Sequence, residues 1–521
     1  MTHTKLVHDF LADSAGRYPE KNAFFSLGQW HTYGRLEEQA NRLARLFSES
    51  GLKKGERVAL LLENSAEYVI TYYAILKAGA ITVALNTEGT ADDIAYIARD
   101  CGVRFLVTGP KLYPRVAVMI RNAAPREDRP EVTCLERLFL WSGANPAVES
   151  EGSRVVRLPE ELSGAPNTAA PVRGIDLDVA SIVYTSGSTG KPRGATLSHL
   201  NIVSNTRSIV DYLELTSDDR IMVVLPFFYI YGKSLLNTHF YVGGSVVVDN
   251  RFLYPNVVLQ TMREQAATGF AGVPSTFTIL LSRSNLKSST FPKLRYVTQA
   301  GGAMAPAVQK EVVTAFDPAK LFVMYGATEA SARLSYLHPK ELPRKWGSIG
   351  IPIPNVNLFV ADDMGNPLGP GQEGEIVAHG SNIMSGYWNH PEETQKVLRN
   401  GLYYTGDIGM TDEEGFLYVV GRTKDMIKVG GNRVSAKEIE EVLYEHPAVI
   451  EAAVISVPDE VLGEAPKAFI VLKGGFRGDI KAQLIEFMKG RLALYKIPKS
   501  VELRDSLPKN EAGKIHKLSL R

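Results

Sequence analysis

Cysteine is nearly absent: two residues in 521, Cys101 and Cys134, with no CxxC pair and no Cys/His metal spacing. That scarcity excludes a disulfide scaffold and makes a reducing, cytoplasmic setting the expectation. An excess of one charge is missing as well. Lysine and arginine number 58 against 57 aspartates and glutamates, a net charge of +1, so no overall field draws in nucleic acid or anionic lipid. No apolar run reaches the roughly 20 residues that span a bilayer; even 221–232 stops short, and no transmembrane segment is expected. The opening MTHTKLVHDF lacks the basic stretch and apolar core of a secretory signal, so none is expected. Low-complexity tracts and internal repeats are also lacking. With hydrophobic residues at 45% and charged residues at 22%, the composition is that of a folded globular protein.

What is present is length enough for about three or four compact units. Residues 64–79, NSAEYVITYYAILKAG, read as a helix, with Asn64 and Glu67 at capping-box spacing and Gly79 as the stop. Strands at 57–62 and 80–85 flank it, which makes a β-α-β unit, the brick of a parallel sheet. The alternation recurs through strands at 181–184, 221–225, 244–248, 295–299 and 321–325, with a helix over 198–213. The first 400 or so residues therefore read as doubly wound α/β. Between 141 and 178 the chain turns rich in Ser, Gly, Pro and Asn, which marks an exposed seam. A second shift near Gly421 introduces a helix at 435–445, strands near 449–456 and 467–473, and a helix at 479–492, enough for a small α+β domain on a hinge.

The segment richest in chemistry follows the 181–184 strand: Tyr184-Thr185-Ser186-Gly187-Ser188-Thr189-Gly190-Lys191-Pro192-Arg193-Gly194. Small residues let backbone N–H groups approach an anion, hydroxyls can donate to phosphate oxygens, and Lys191 adds charge. A Walker A loop is disfavoured, because Thr185 stands where its first glycine belongs and Pro192 follows the lysine. This string resembles the phosphate loop of the adenylate-forming superfamily, which includes acyl-CoA synthetases, adenylation domains and beetle luciferase. Further motifs follow in that family's order: 226–232 (PFFYIYG), 300–303 (AGGA), 325–329 (YGATE), 404–407 (YTGD), 421–425 (GRTKD) and 508–514 (PKNEAGK).

The resemblance implies a large N-terminal domain, 1–423, of doubly wound sheets plus a distorted β-barrel subdomain, and a small mobile α+β C-terminal domain, 424–521, hinged at Lys424. It implies ATP-dependent activation of a carboxylic acid to an acyl-adenylate with pyrophosphate release, then transfer to the thiol of coenzyme A. Thr185, Ser186, Gly187, Ser188, Thr189, Gly190 and Lys191 would cradle the β- and γ-phosphates, and Glu329 would hold Mg2+. Thr328 would contact the α-phosphate. Gly301, Gly302 and Ala303 would wall the adenine, beside Tyr325, Gly326 and Ala327. Asp407 and Arg422 would take the ribose hydroxyls. Lys514 would bring its ammonium group to the reacting carboxylate and α-phosphate, and Lys428, Gly430 and Gly431 would line the thiol channel. With Thr328 and Glu329, Lys514 completes the expected catalytic set.

The acyl group is expected against Phe228, Tyr229, Tyr231, Gly232, Ala300, Gly301 and Gly326. Tyr229 stands where many relatives have histidine, and a tyrosine does not titrate at neutral pH. No acidic residue near Tyr229 or Tyr231 waits to grip an amino group, which favours an apolar acid: aromatic, alicyclic or fatty. The expected partners are small molecules, the acid, ATP and CoA, with monomer and homodimer both open. A phosphopantetheine carrier protein is the alternative acceptor. A luciferase-like oxygenase, or a nucleotide sensor that has lost turnover, would use the same scaffold.

Overall fold

A computed structural model of the chain describes residues 6–123, 135–141, 154–168, 174–185, 191–430, 432–473, 479–510 and 513–520. Cys134 and the centre of the 141–178 seam lie outside the described residues. The chain divides into two compact units: Met1–Phe252 with Ala327–Arg333 and Gly380–Leu398, and Leu253–Gly326 with Leu334–His379 and Arg399–Arg521.

The first unit contains an eight-stranded sheet in the order Gly386–Tyr387, Arg193–Ser198, Val179–Thr185, Ile81–Ala84, Arg57–Leu61, Val103–Thr108, Arg137–Leu140 and Arg154–Arg157. From Val179–Thr185 onward every pairing is parallel, and only the two pairings made by Arg193–Ser198 at the other end are antiparallel. The parallel strands read as near-continuous apolar runs because helices cover both faces; Val58, Ala59, Leu60 and Leu61 are all fully buried. A second sheet portion pairs Arg220–Val223, Ser245–Val248 and Asn22–Ser26 in parallel, with Gln29–Thr32 antiparallel at its edge.

The helix expected at 64–79 runs Ala66–Lys77, and its cap is Ser65, whose hydroxyl accepts from the Tyr68 N–H at 3.2 Å. Asn64 is committed elsewhere. Its side chain donates to Leu225 O and accepts from Phe227 N, tying the strand's end to the loop that carries the 226–232 motif.

In the second unit, Gly269–Gly272, Tyr296–Gln299 and Lys320–Tyr325 pair in parallel, and Ser335–Leu337 and Ile351–Pro352 add antiparallel strands. An antiparallel subdomain is built on Gly374–Gly380, Leu402–Thr411 and Leu417–Arg422. The C-terminal segment is the small α+β body read from the sequence. Strands Met426–Val429, Asn432–Ser435, Val449–Asp459, Gly463–Leu472 and Ser500–Leu503 are packed by helices Ala436–Tyr444 and Ile480–Lys489. Ile439, Leu443, Leu484 and Met488 meet Ala452, Val454, Ala468 and Ile470 in its core. The expected boundary at 423/424 lies inside this second unit. No helix among the described residues is long and apolar enough to cross a membrane.

Candidate active site

The residues singled out from sequence are distributed over both units. In the first, the strand Val179–Thr185 returns antiparallel as Arg193–Ser198, with Thr185 opposite Arg193. The strands on either side of the glycine-rich segment are thus paired with each other. Ser186, Gly187, Ser188, Thr189 and Gly190 lie outside the described residues. Both flanks are anchored: Tyr184 donates to Asp100 Oδ2 at 2.5 Å, Tyr96 donates to Pro192 O at 3.2 Å, and Lys191 Nζ sits 5.8 Å from the Tyr96 ring centroid.

Thr328 and Glu329 share one 3-10 turn, Thr328–Ala330. The Glu329 carboxylate accepts the Tyr387 hydroxyl at 2.7 Å through Oε1, and its backbone oxygen accepts from Met384 N at 2.8 Å. Burial, then the Glu329 charge, push the Tyr387 phenol above its ordinary range, so it stays a donor. The turn leaves through two non-glycine residues at positive φ, Ser331 (54°) and Ala332 (118°). Such backbone persists only when its surroundings over-determine it. Asn382 does so: it donates to Ala330 O at 3.0 Å and Arg333 O at 2.8 Å, and its backbone oxygen accepts the Ser331 hydroxyl at 2.9 Å.

Among the described residues no group of three or more His, Cys, Asp or Glu could cage a metal ion. Glu329 fits a different arrangement. With Oε1 fixed by Tyr387, the carboxylate is oriented as a single hard oxygen donor, the kind Mg2+ accepts when phosphate oxygens and water complete its shell.

The 226–232 loop packs tightly. A Cβ on Gly232 would lie 2.1 Å from Pro226 O, so only glycine is tolerated there. Phe228 and Tyr229 pack ring against ring at 4.5 Å between centroids, and Tyr229 N-caps the Ile230–Val242 helix. Phe228 and Tyr231 are buried and Tyr229 is half-buried.

In the second unit, Ala300, Gly301, Gly302 and Ala303 follow the Tyr296–Gln299 strand, and Gln299 Nε2 donates to Gly302 O at 2.7 Å to close the turn. Gly301 has φ +85°, and a Cβ there would meet Val273 Cγ1 at 3.1 Å and the Lys514 Cε at 3.6 Å. Tyr325 and Gly326 end the Lys320–Tyr325 strand and the unit's first segment.

Asp407 is buried and its two oxygens are divided: Oδ2 accepts the Tyr325 hydroxyl at 2.6 Å and Oδ1 accepts Arg422 Nε at 2.7 Å. Arg422 is its cross-strand neighbour. The Asp407 charge raises the Arg422 guanidinium pKa, and burial followed by that same charge raises the Tyr325 phenol. Sequence assigns Tyr325 an adenine-facing ring; the structure adds a hydroxyl committed to Asp407. Each carboxylate oxygen keeps a second lone pair for a further donor.

Lys424 lies exposed in the 3-10 turn Thr423–Asp425. Lys428 is exposed, its N–H donating to Glu464 Oε2, and Gly430, at φ +55°, donates to Leu462 O. Gly431 lies outside the described residues.

Lys514 sits in a hairpin closed by the Lys509–Ile515 bridge. Asn510 N donates to Lys514 O at 2.7 Å, Gly513 N to Asn510 O at 2.8 Å, and Lys514 N to Asn510 Oδ1 at 2.9 Å. Gly513, φ +72°, turns the tip against Ser275 and Val273. Lys514 and Gly301 are thus neighbours. Tyr387, Asn382 and Arg333 escape a reading of the sequence because no motif marks them.

The family model described as AMP-binding enzyme matches residues 11–388, and the AMP-binding enzyme C-terminal domain matches 438–514. The chain is 33% identical to a long-chain-fatty-acid–CoA ligase of Bacillus subtilis, covering 98% of this chain and 93% of that protein. It is 34% identical to a feruloyl-CoA synthase of Amycolatopsis sp, covering 94% and 93%. Among solved structures, an anthranilate CoA ligase in complex with anthranoyl-AMP superposes with a TM-score of 0.90 at 28% identity, over 99% of this chain and 96% of that one.

Proposed function

The chain belongs to the AMP-binding enzyme family, and from that premise we propose that it is an AMP-forming acid–CoA ligase with ATP, a carboxylic acid and coenzyme A as substrates. The observation that carries this reading is the approach of Lys514 to Gly301, which brings an ammonium-bearing tip to the loop proposed to wall the adenine.

In the first half-reaction a carboxylate oxygen attacks the α-phosphorus. A carbon–oxygen–phosphorus linkage forms as the bond to the β-phosphate oxygen breaks, and pyrophosphate leaves with the electron pair. Two anions must meet, so preorganised positive charge is the largest requirement. Lys514 supplies it as a point charge on a flexible stem. Thr185 and the segment through Lys191 hold the β- and γ-phosphates, and Thr328 contacts the α-phosphate. Gly301, Gly302, Ala303 and Tyr325 seat the adenine, and Asp407 with Arg422 takes the ribose hydroxyls. Glu329, aimed by Tyr387, would hold Mg2+, which would neutralise charge on the phosphate oxygens.

In the second half-reaction the coenzyme A sulfur attacks the acyl carbon, AMP departs with the electron pair, and the thiol proton goes to solvent. The 424–521 domain turns at Lys424 between the two steps and presents Lys428, Gly430 and Gly431 to the thiol arm. The aromatic side chains of Phe228, Tyr229 and Tyr231 favour an aromatic, alicyclic or fatty acid, in keeping with the names of the relatives. The proposed setting is the cytoplasm.

Acid-dependent exchange of pyrophosphate into ATP, screened over a panel of carboxylic acids, tests the first step. Thioester formation with free CoA against a phosphopantetheinylated carrier protein tests the acceptor. No exchange with any acid would overturn the ligase reading, and transfer to the carrier alone would replace CoA as acceptor.

A further inference from the structure

The helix Ala91–Asp100 carries none of the motifs, yet two of its side chains reach the two ends of the glycine-rich segment. The helix itself is firmly held. A capping box between Thr90 and Asp93 starts it, and Ile94, Ala95, Ile97 and Ala98 are buried in a core shared with Leu61, Val83 and Leu106 of the eight-stranded sheet. At its last turn Asn389 Nδ2 donates to Asp100 O at 2.6 Å. Tyr96 and Asp100, four residues apart, share one face. Asp100 Oδ2 accepts the Tyr184 hydroxyl at the entry to the segment. At the exit the Tyr96 hydroxyl donates to Pro192 O, and the ring of the same tyrosine lies 5.8 Å from Lys191 Nζ, within reach of cation–π attraction.

The strands are shaped to admit the first of these contacts. Gly194 is the cross-strand partner of Tyr184, and a Cβ there would come 3.1 Å from Tyr184 Cζ and 2.5 Å from Ile182 Cγ2. Burial above all pushes the phenols of Tyr184 and Tyr96 above their ordinary range, so both stay protonated donors. A run of small residues has much backbone freedom to lose on wrapping an anion. Fixing both of its ends beforehand lessens that loss and sets where the phosphate contacts fall.

On the reading that Thr185 through Lys191 holds the β- and γ-phosphates, we propose that Tyr96 and Asp100 are positioning residues for ATP and pyrophosphate: one helix sets where the phosphate-holding segment begins and where it ends. Neither residue touches the nucleotide; each acts through Tyr184, Lys191 or Pro192. AMP has no β- or γ-phosphate, so the role predicts a signature that general loosening does not give. ATP and pyrophosphate lose affinity and AMP keeps it.

Calorimetric titration with ATP, pyrophosphate and AMP, each with Mg2+, reads this signature in the wild type and in Tyr96→Phe, Tyr184→Phe, Asp100→Ala and Asp100→Asn. Each Phe variant deletes one oxygen and keeps the ring, so these two decide the matter if Asp100→Ala does not fold. Tyr96→Phe, Tyr184→Phe and Asp100→Ala should each weaken ATP and pyrophosphate binding by about fivefold to tenfold, the scale of one lost hydrogen bond, with AMP affinity changed by less than about twofold. Asp100→Asn keeps an acceptor for Tyr184 and should recover most of the loss. In acid-dependent pyrophosphate exchange, KM for ATP should rise by the same factor while KM for the acid stays as in the wild type. Equal weakening of ATP and AMP would assign the two residues a structural role and overturn the inference, and so would unchanged ATP affinity in both Phe variants. The titrations need no acid, so exchange that fails with every acid would remove the ligase reading while the ratio of ATP to AMP affinity still decides this one.

Discussion

In the proposed mechanism Lys514 serves the chemistry and Asp407 the binding of nucleotide, so their removal is expected to separate the two. Lys514→Ala is expected to lower adenylate formation by about two to three orders of magnitude, the scale of losing one charged stabiliser of the transition state. Conversion of a supplied acyl-adenylate to thioester should proceed at a substantial rate. Single-turnover assays of the two halves check this, and equal loss in both, with folding intact, would refute the division of labour. Asp407→Asn leaves the size of the side chain, removes its charge and replaces one of its two acceptor oxygens with an NH2 donor, so Arg422 loses its ion pair and only one of Arg422 and Tyr325 keeps its acceptor. Calorimetric titration with AMP should show binding weakened about tenfold or more. Unchanged AMP affinity would separate Asp407 from the ribose.

At the level of one element, the Ile230–Val242 helix contains an anomaly that the acyl-site argument does not use. Lys233 is fully buried, its Nζ makes no hydrogen bond among the described residues, and it lies 5.2 Å from the Tyr72 ring centroid. Burial lowers its pKa from 10.5 to about 7. The folded value is depressed, so the unfolded chain binds the proton more tightly. Stability is then greatest above pH 10.5, falls as pH drops toward 7, and levels off below that. Lys233→Met removes this slope. Chemical denaturation should show the variant more stable than wild type by on the order of 4 kcal/mol near pH 7, with the difference shrinking by about pH 9.5. Equal gains at both pH values would mean that packing, not charge, explains them.

Across the molecule, the position of the Lys514 hairpin against Ser275 and Val273 supplies a test of domain alternation. A Cβ at residue 513 would lie 2.8 Å from the Ser275 hydroxyl, close enough for a disulfide between engineered cysteines. In Ser275→Cys/Gly513→Cys with Cys134→Ser, the oxidised protein should form acyl-adenylate and fail to make thioester, and reductant should restore the second step. Cys101 is no competitor for the linkage: it is buried, and burial pushes its thiol up to about 12. Thioester synthesis at the reduced rate by the cross-linked protein would show that the tip need not leave Gly301.

Family, α/β architecture and the chemical identity of most proposed ligands are legible in the bare chain. They are written in short contiguous strings such as 184–194 and 404–407, where local backbone demands fix residue type. Asn64 misleads at that level, because a capping position and a tertiary hydrogen bond ask for the same short polar side chain; Ser65 takes the cap and Asn64 joins Leu225 and Phe227. Which distant side chains meet is settled by the folded molecule alone. Tyr387 orients Glu329, Asn382 pins the strained turn after it, Arg333 lies on Tyr231, and Lys514 reaches Gly301. Such pairs join segments with no common local pattern, and their proximity follows from how sheets and helices pack, which no window of neighbouring residues encodes.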